Sequence, residues 1–394
     1  MKRLAIILEG NLGNRKGQIN ASLSRAENLI FLRKYSIDVY CIQSRASLLF
    51  RLVKGGKRKP LCSELEVDGI NIKVLWTTMY LFDYLWSIKL GHRKLFGCNE
   101  LDKFVPLFSR YDLISAHSFK SGSLAEKIHE RFGTPFTITW HGSDIHTLPK
   151  NNKSVKNETI RLIESANCNF FVSQSLLEQS KELTLNGNKK LLYNGVSPIF
   201  VEYGFSERKK VREYNGVNEE RVIAYVGSLY SIKNILVLPD IFASVYQQRK
   251  DTVFWIIGDG GLNSNLRMEL DKKGLPFKMF GDMPPESMPD LMNCMDVLVL
   301  PSKNEGLPLV VLEAISCGAN VVGSNVGGIP EVIGKDNTFA LDSQFVQNIS
   351  ERILFFLEHS VRQEIGEEFN WGKTVSLEAQ EYENIFQKQL ICKK

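Results

Sequence analysis

The sequence predicts an α/β protein of two Rossmann-like domains, and three observations carry that expectation. At 394 residues the chain exceeds what one hydrophobic core usually serves. Short apolar, β-rich runs alternate with helix-period segments almost throughout, the rhythm of parallel sheets covered by helices. That rhythm breaks once, over the polar and charged stretch Glu202–Asn218. The break reads as a linker, with a boundary at residues 198/199 and a cleft between the two sheets.

Taken in order, Leu4–Leu8 is the first strand; its apolar run ends at Glu9 and Gly10, too short for a signal peptide. The loop Gly10–Gly17 leads into a helix over Ile19–Tyr35. Its glycines, Gly13 and Gly17 among them, permit close backbone approach of an acceptor or a phosphate, or simply form a turn. The loop lacks G-x-G-x-x-G dinucleotide spacing, which argues against a nicotinamide dehydrogenase. Further strands fall at Asp38–Ile42, Ile70–Leu75, Asp112–Ala116, Phe136–Trp140, Asn169–Val172 and Lys190–Tyr193, with a helix at Ser121–Phe132. A second series follows at Val222–Val226, Val253–Ile257, Phe277–Phe280, Val297–Leu300 and Asn320–Gly323. Trp371–Leu390 closes the sequence as an amphipathic helix, with Val375, Ala379, Tyr382 and Phe386 at helical spacing. In such folds ligands bind beyond the carboxyl ends of strands, so the loops after strands are where chemistry belongs.

Composition describes a globular chain, 43% hydrophobic and 24% charged, with no bias toward disorder. No apolar run approaches the ~20 residues that span a bilayer. Seven cysteines without a C-x-x-C pair imply reduced thiols in a cytoplasmic protein and give no metal-ligand spacing. The net charge of +5 hides an asymmetry: residues 1–100 hold 17 Lys/Arg and 8 Asp/Glu, a net of +9. Two segments there mix cations with apolar groups. Arg45, Arg51, Lys54, Lys57, Arg58 and Lys59 surround Leu48–Phe50, Leu52 and Val53, and Met79–Phe96 interleaves aromatics with Lys89, Arg93 and Lys94. Either they form a peripheral face for an anionic membrane surface, or a solvated basic loop and a buried helix. Nothing in the pattern points to nucleic acid.

The run from Leu300 to Ile333 is the most specific in the chain. It places Glu305 and Glu313 eight positions apart across a strand-to-helix turn, Glu305 on the loop and Glu313 within the helix. Pro308 suits the first helical turn. The N–H groups of Gly306, Leu307 and Leu309 then point out of a helix N-terminus, a place that favours anions. Carboxylates for hydroxyls beside a site for phosphate match a sugar attached to a diphosphate.

With its Pro-Ser, Glu-Gly-x-Pro-Leu, Leu-Glu-Ala, Cys-Gly and Gly-Gly-x-Pro-Glu elements, this run resembles the signature of the retaining GT-B glycosyltransferases of family four, glycosyl transferases group 1. Three other strand-end elements are similar to that group's: Gly227–Asn234 with Lys233, His141-Gly-Ser-Asp144, and Phe280-Gly281. The resemblance implies transfer of a sugar from a UDP- or GDP-sugar to a sugar or lipid-linked acceptor hydroxyl, in surface polysaccharide or glycolipid synthesis. It implies no metal and no cofactor beyond the donor. It places Glu313 on the ribose, Glu305 on the sugar hydroxyls, Lys233 on the diphosphate and His141 near the transferred sugar, with Gly281 by the base. It also implies that the last helix returns to the first domain, giving an acceptor domain of 1–198 with 371–394 and a donor domain of 199–370. Ser228 stands where the group often has arginine, which removes one cation; Lys303 is a candidate replacement. That departure keeps open a sugar-nucleotide-binding scaffold without catalysis.

Overall fold

A computed structural model describes residues 1–12, 17–54, 62–89 and 100–392. The chain divides into two compact units, Met1–Asn194 with Trp371–Lys394, and Gly195–Asn370. The chain leaves the first unit after Asn194, four residues ahead of the boundary read from sequence. The reason is local: Val196 N–H donates to the Phe369 carbonyl at 3.2 Å, so it is already held by the second unit.

The first unit is an eight-stranded sheet in the order β3-β4-β2-β1-β5-β6-β7-β8. Its strands are β1 (Arg3–Glu9), β2 (Ser36–Ala46), β3 (Glu64–Val67), β4 (Ile70–Met79), β5 (Leu113–His117), β6 (Phe136–Trp140), β7 (Cys168–Phe171) and β8 (Lys189–Leu191). All pairings are parallel except β3 with β4. Strands covered on both faces are mostly apolar, and β5 and β6 are fully buried, with Ser115, His117, Thr137 and Thr139 as their polar residues. The first helix, Gln18–Phe31, stops short of the expected Tyr35. Tyr35 instead packs its ring edge-on against Tyr382 at 6.0 Å and donates to Glu383 at 2.8 Å.

Those two partners belong to the last helix, Trp371–Cys392, which returns to the first unit as expected. Val375, Ala379, Tyr382, Ile385 and Phe386 join the core built from Leu4, Ile6 and Leu8 of β1 and Leu23, Ala26 and Leu29 of the first helix. Beneath this apolar layer lies a buried ion pair. Arg25 Nε sits 3.0 Å from Glu378 Oε2, with both side chains fully excluded from solvent. Its alignment is ionic rather than that of a good hydrogen bond. Arg25 Nη1 donates to Thr139 at 3.0 Å, and Tyr382 Oη lies 2.5 Å from Glu378 Oε1 and 2.9 Å from Ser115 Oγ.

The second unit is a six-stranded, all-parallel sheet, ordered β11-β10-β9-β12-β13-β14. These are β9 (Arg221–Val226), β10 (Thr252–Ile257), β11 (Phe277–Gly281), β12 (Val297–Leu300), β13 (Asn320–Ser324) and β14 (Thr338–Phe339). The polar stretch read as a linker is largely a helix of this unit, Phe205–Tyr214. Its arginines hold it there: Arg208 and Arg212 reach Asp296 at 3.2 and 3.4 Å and cap carbonyls of Asn293, Met295 and Cys294. A helix with so weak an apolar stripe is legible only once its ionic partners are known. Both sheets share the doubly wound order in which connections reverse direction beside the first strand.

Candidate functional site

In the second unit that reversal falls between β9 and β12. A doubly wound sheet leaves a crevice at the carboxyl ends of those two strands, because their outgoing loops diverge. After β9 comes the turn Ser231–Lys233, and after β12 the loop carrying Ser302 and Glu305. Lys303 N–H donates to the Ile232 carbonyl at 2.8 Å, which ties the loops together. Lys233 Nζ thereby reaches Glu305 Oε1 at 2.6 Å. Ser302 Oγ donates to the same oxygen at 2.7 Å, and Ser324 Oγ donates in turn to the Ser302 carbonyl at 2.5 Å. Glu305 is therefore buried and held on one oxygen by a cation and a hydroxyl.

Glycine is required where these loops stack backbone on backbone. Gly327 has φ 54°, and a Cβ there would stand 1.9 Å from the Glu305 carbonyl oxygen. A Cβ at Gly258 would stand 2.1 Å from the Gly227 carbonyl oxygen. No side chain can be added at either position without moving a strand-end loop that shapes the site.

The helix after β12 spans Leu309–Ser316 with Pro308 as its N-cap, ψ 110°, rather than in the first turn as expected. Proline serves there for the same reason it suits the first turn, since an N–H at a helix start has no intrahelical acceptor. The N–H groups of Gly306, Leu307 and Leu309 find no backbone acceptor among the described residues. Glu313 lies on this helix, half-buried, and burial pushes its carboxyl up to about 7. Gly281 ends β11 with φ 74°, and its carbonyl accepts the Gly258 N–H at 2.8 Å. The neighbouring Phe280 ring packs edge-on against Trp255 at 4.8 Å, with Lys278 Nζ 4.5 Å from the Phe280 centroid. Ser228 contributes through its backbone, its carbonyl accepting from Tyr225 Oη at 3.0 Å. Lys303 is exposed and joins the loops through its main chain.

In the first unit His141 follows β6. Asp144 accepts the Gly142 N–H at 2.9 Å and fixes this loop. His141 Nε2 lies 3.2 Å from Ser22 Oγ and 3.3 Å from His117 Nδ1, the two imidazoles stacked. Burial, and then the Arg25 charge, push His141 down to about 3, so it is a neutral hydrogen-bonder at physiological pH. Gly17, φ 42°, is the N-cap of the first helix, and its carbonyl accepts from Ala21 N–H at 3.0 Å. Gly13 lies outside the described residues, as do Lys57, Arg58, Lys59, Arg93, Lys94 and Phe96. Among the described residues no group of three or more His, Cys, Asp or Glu is arranged to hold a metal ion.

Lys233 and Glu305 are thus brought into contact, and Gly306, Leu307, Leu309 and Glu313 continue from the same loop and helix. Sequence reasoning missed the residues behind them: Ser302 and Ser324 behind Glu305, and His117 and Ser22 behind His141. One signal was available, because His117 ends β5 just as His141 follows β6.

Residues 206–369 match the family described as glycosyl transferases group 1. A relative in Bacillus subtilis named "Putative teichuronic acid biosynthesis glycosyltransferase TuaC" is 30% identical over 61% of this chain. The match spans 60% of that relative's length. Sucrose-phosphate synthase from Thermosynechococcus elongatus superposes with a TM-score of 0.76 at 17% identity, covering 98% of this chain and 100% of that one. Anabaena HepE, solved in complex with UDP-glucose, superposes with a TM-score of 0.69 at 18% identity over 97% of this chain and 99% of its own. These likenesses show the fold, which is the GT-B class of two Rossmann-like domains expected from the sequence.

Proposed function

We propose that this protein transfers a sugar from a nucleoside diphosphate donor to an acceptor hydroxyl with retained anomeric configuration, in the assembly of a surface polysaccharide or glycolipid. The contact between Lys233 and Glu305 at the sheet's switch point carries this reading. It supplies a cation for a diphosphate and a carboxylate for sugar hydroxyls in one place. The name of the Bacillus subtilis relative supports the class of product, and the UDP-glucose in Anabaena HepE supports a UDP-sugar ahead of GDP-mannose.

Without donor, Lys233 and Glu305 neutralise each other. An arriving diphosphate draws Lys233 Nζ to itself and frees the Glu305 carboxylate for the sugar, while Ser302 keeps that carboxylate in place. Glu313, its carboxyl pushed up to about 7, hydrogen-bonds the ribose hydroxyls as acceptor or as donor. The N–H groups of Gly306, Leu307 and Leu309 face charge growing on the departing phosphate, which is stabilisation aimed at the transition state. A charge-assisted hydrogen bond contributes about 1.5–3 kcal/mol, roughly ten- to hundredfold in rate for each. The acceptor oxygen bonds to the anomeric carbon on the face the diphosphate leaves. The carbon–oxygen bond to phosphate breaks, and the acceptor proton passes to a phosphate oxygen. Glu305 faces the sugar hydroxyls and keeps its bond from Ser302, which favours this route over double displacement. Lys233 and the N–H groups take the place of a metal.

UDP is expected to raise the melting temperature, because a ligand that binds only the native state stabilises it. No shift with UDP, GDP or other nucleoside diphosphates would end the donor-binding reading. Lys233→Ala should shrink the UDP shift by far more than the uridine shift; equal losses mean that Lys233 is not a phosphate ligand. Transfer should persist in EDTA, and a loss restored by Mg²⁺ contradicts the metal-free scheme. Ser228 favours one other reading, a scaffold that binds donor without turning it over. Donor binding with neither transfer nor donor hydrolysis would select it.

A further inference from the structure

Residues paired across neighbouring strands face the same side of a sheet, as do alternate residues along one strand. His117, the last residue of β5, is paired in register with Thr139 of β6, and His141 follows Thr139 by two. The helix Gln18–Phe31 presents Ser22 and Arg25 to this side, Arg25 reaching Thr139 and Ser22 reaching His141. His117 is fully buried and His141 half-buried. Burial, and then the neighbouring His141 and the Arg25 charge, push the His117 imidazole well below its usual range. Both rings are therefore neutral, and each carries one proton, on Nδ1 or on Nε2.

The contacts decide which. Ser22 has a single hydroxyl proton and directs it to the Gln18 carbonyl at 2.9 Å. Were His141 protonated on Nε2, that N–H would face both Ser22 Oγ and His117 Nδ1. His117 Nδ1 would then have to be bare, with its proton on Nε2. Among the described residues His117 Nε2 has no partner and is closed to solvent. Buried N–H groups without an acceptor are rarer than unfilled acceptors. Arg25 Nη2 is already a buried donor without an acceptor, so a second one in this network is the worse arrangement. The alternative puts the His117 proton on Nδ1, which donates to His141 Nε2 at 3.3 Å and leaves only a bare nitrogen behind. His141 then carries its own proton on Nδ1. Among the described residues that atom makes no hydrogen bond, and it is not closed to solvent.

We infer that His117 is a positioning residue, whose Nδ1–H fixes the tautomer in which His141 Nδ1–H is free to donate to a sugar hydroxyl. His141 thereby orients the sugar and takes no proton from it. The identity of that ligand rests on the transfer reading, whereas the tautomer does not.

Nitrogen-15 correlation spectra of the full chain read the tautomer of each of its six histidines, with His141→Gln to assign the His141 signals. His141 should be protonated on Nδ1. His117→Phe keeps the stacked ring but has no N–H. The His141 proton should then move to Nε2, where Ser22 accepts it without giving up Gln18, and turnover should fall by about three- to tenfold, the worth of one neutral hydrogen bond. His117→Asn loses the ring and some stability, yet it can place an amide N–H where Nδ1 stood. It should restore the tautomer and most of the turnover. Packing alone predicts the reverse order, with phenylalanine the milder change. His141 protonated on Nε2 in the parent, or left unmoved by His117→Phe, overturns the inference, as does a phenylalanine variant at least as active as the asparagine one. The UDP-induced melting shift of the same samples reports donor binding separately. The expected tautomers without that shift would uphold the role of His117 and end the transfer reading instead.

Discussion

Glu305→Gln is expected to lower turnover by about ten- to hundredfold while nucleoside diphosphate affinity stays level or tightens. The two effects separate because of what Glu305 touches. Its Oε1 holds Lys233 at 2.6 Å and accepts from Ser302 at 2.7 Å. Glutamine preserves the shape and the bond from Ser302 but abolishes the charge that competes with phosphate for Lys233. The nucleotide alone then binds at least as well. The sugar acquires positive character as the bond to phosphate breaks, and a carboxylate beside its hydroxyls strengthens its contact at that moment, which the amide cannot do. Turnover and turnover over the Michaelis constant should therefore fall together. Near-normal turnover, or a loss of UDP affinity parallel to the loss of turnover, would sink the assignment. Lys233→Ala sharpens the comparison, because it should weaken UDP binding whereas Glu305→Gln does not.

The strands of both sheets were legible because strands covered on both faces read as near-continuous apolar runs, as β12 does. The same reasoning fails where cover is partial. β3 is an outer strand whose Glu64, Leu65 and Glu66 are exposed, so it has no apolar run to read. The helix Phe205–Tyr214 was hidden for a related cause, since ionic contacts with Asp296 hold it. At the candidate site the loop residues could be picked out one at a time, each at a strand's carboxyl end. Their contact could not, because Lys233 and Glu305 are 72 positions apart and meet only when β9 and β12 pair. The helix Leu48–Lys54 was not legible either, because periodicity over seven residues does not separate a helix from a loop.

Arg25 and Glu378 show the same limit with a larger energetic consequence, because nothing in either helix marks them as partners. Glu378→Ala is expected to destabilise the first unit by about 3–5 kcal/mol, the usual result of stranding one charge of a buried pair. At about 2–4 °C per kcal/mol for a unit of this size, its melting temperature should fall by roughly 6–20 °C. Removal of Glu378 leaves the Arg25 guanidinium fully buried with Thr139 as its hydrogen-bond acceptor, and deprives Tyr382 Oη of its carboxylate. The last helix should loosen first, read as faster amide exchange over Trp371–Cys392, since this pair ties it to the helix Gln18–Phe31. The double variant Arg25→Met/Glu378→Met separates the penalty of a stranded charge from the worth of the pair. Similar volume with no charge to desolvate should recover most of the loss or exceed the parent, as replaced buried pairs often do. A single variant that costs less than about 1 kcal/mol would mean that water reaches Arg25 and the pair is not desolvated. A double variant as unstable as the single would instead assign the loss to the shape of these side chains rather than to their charges.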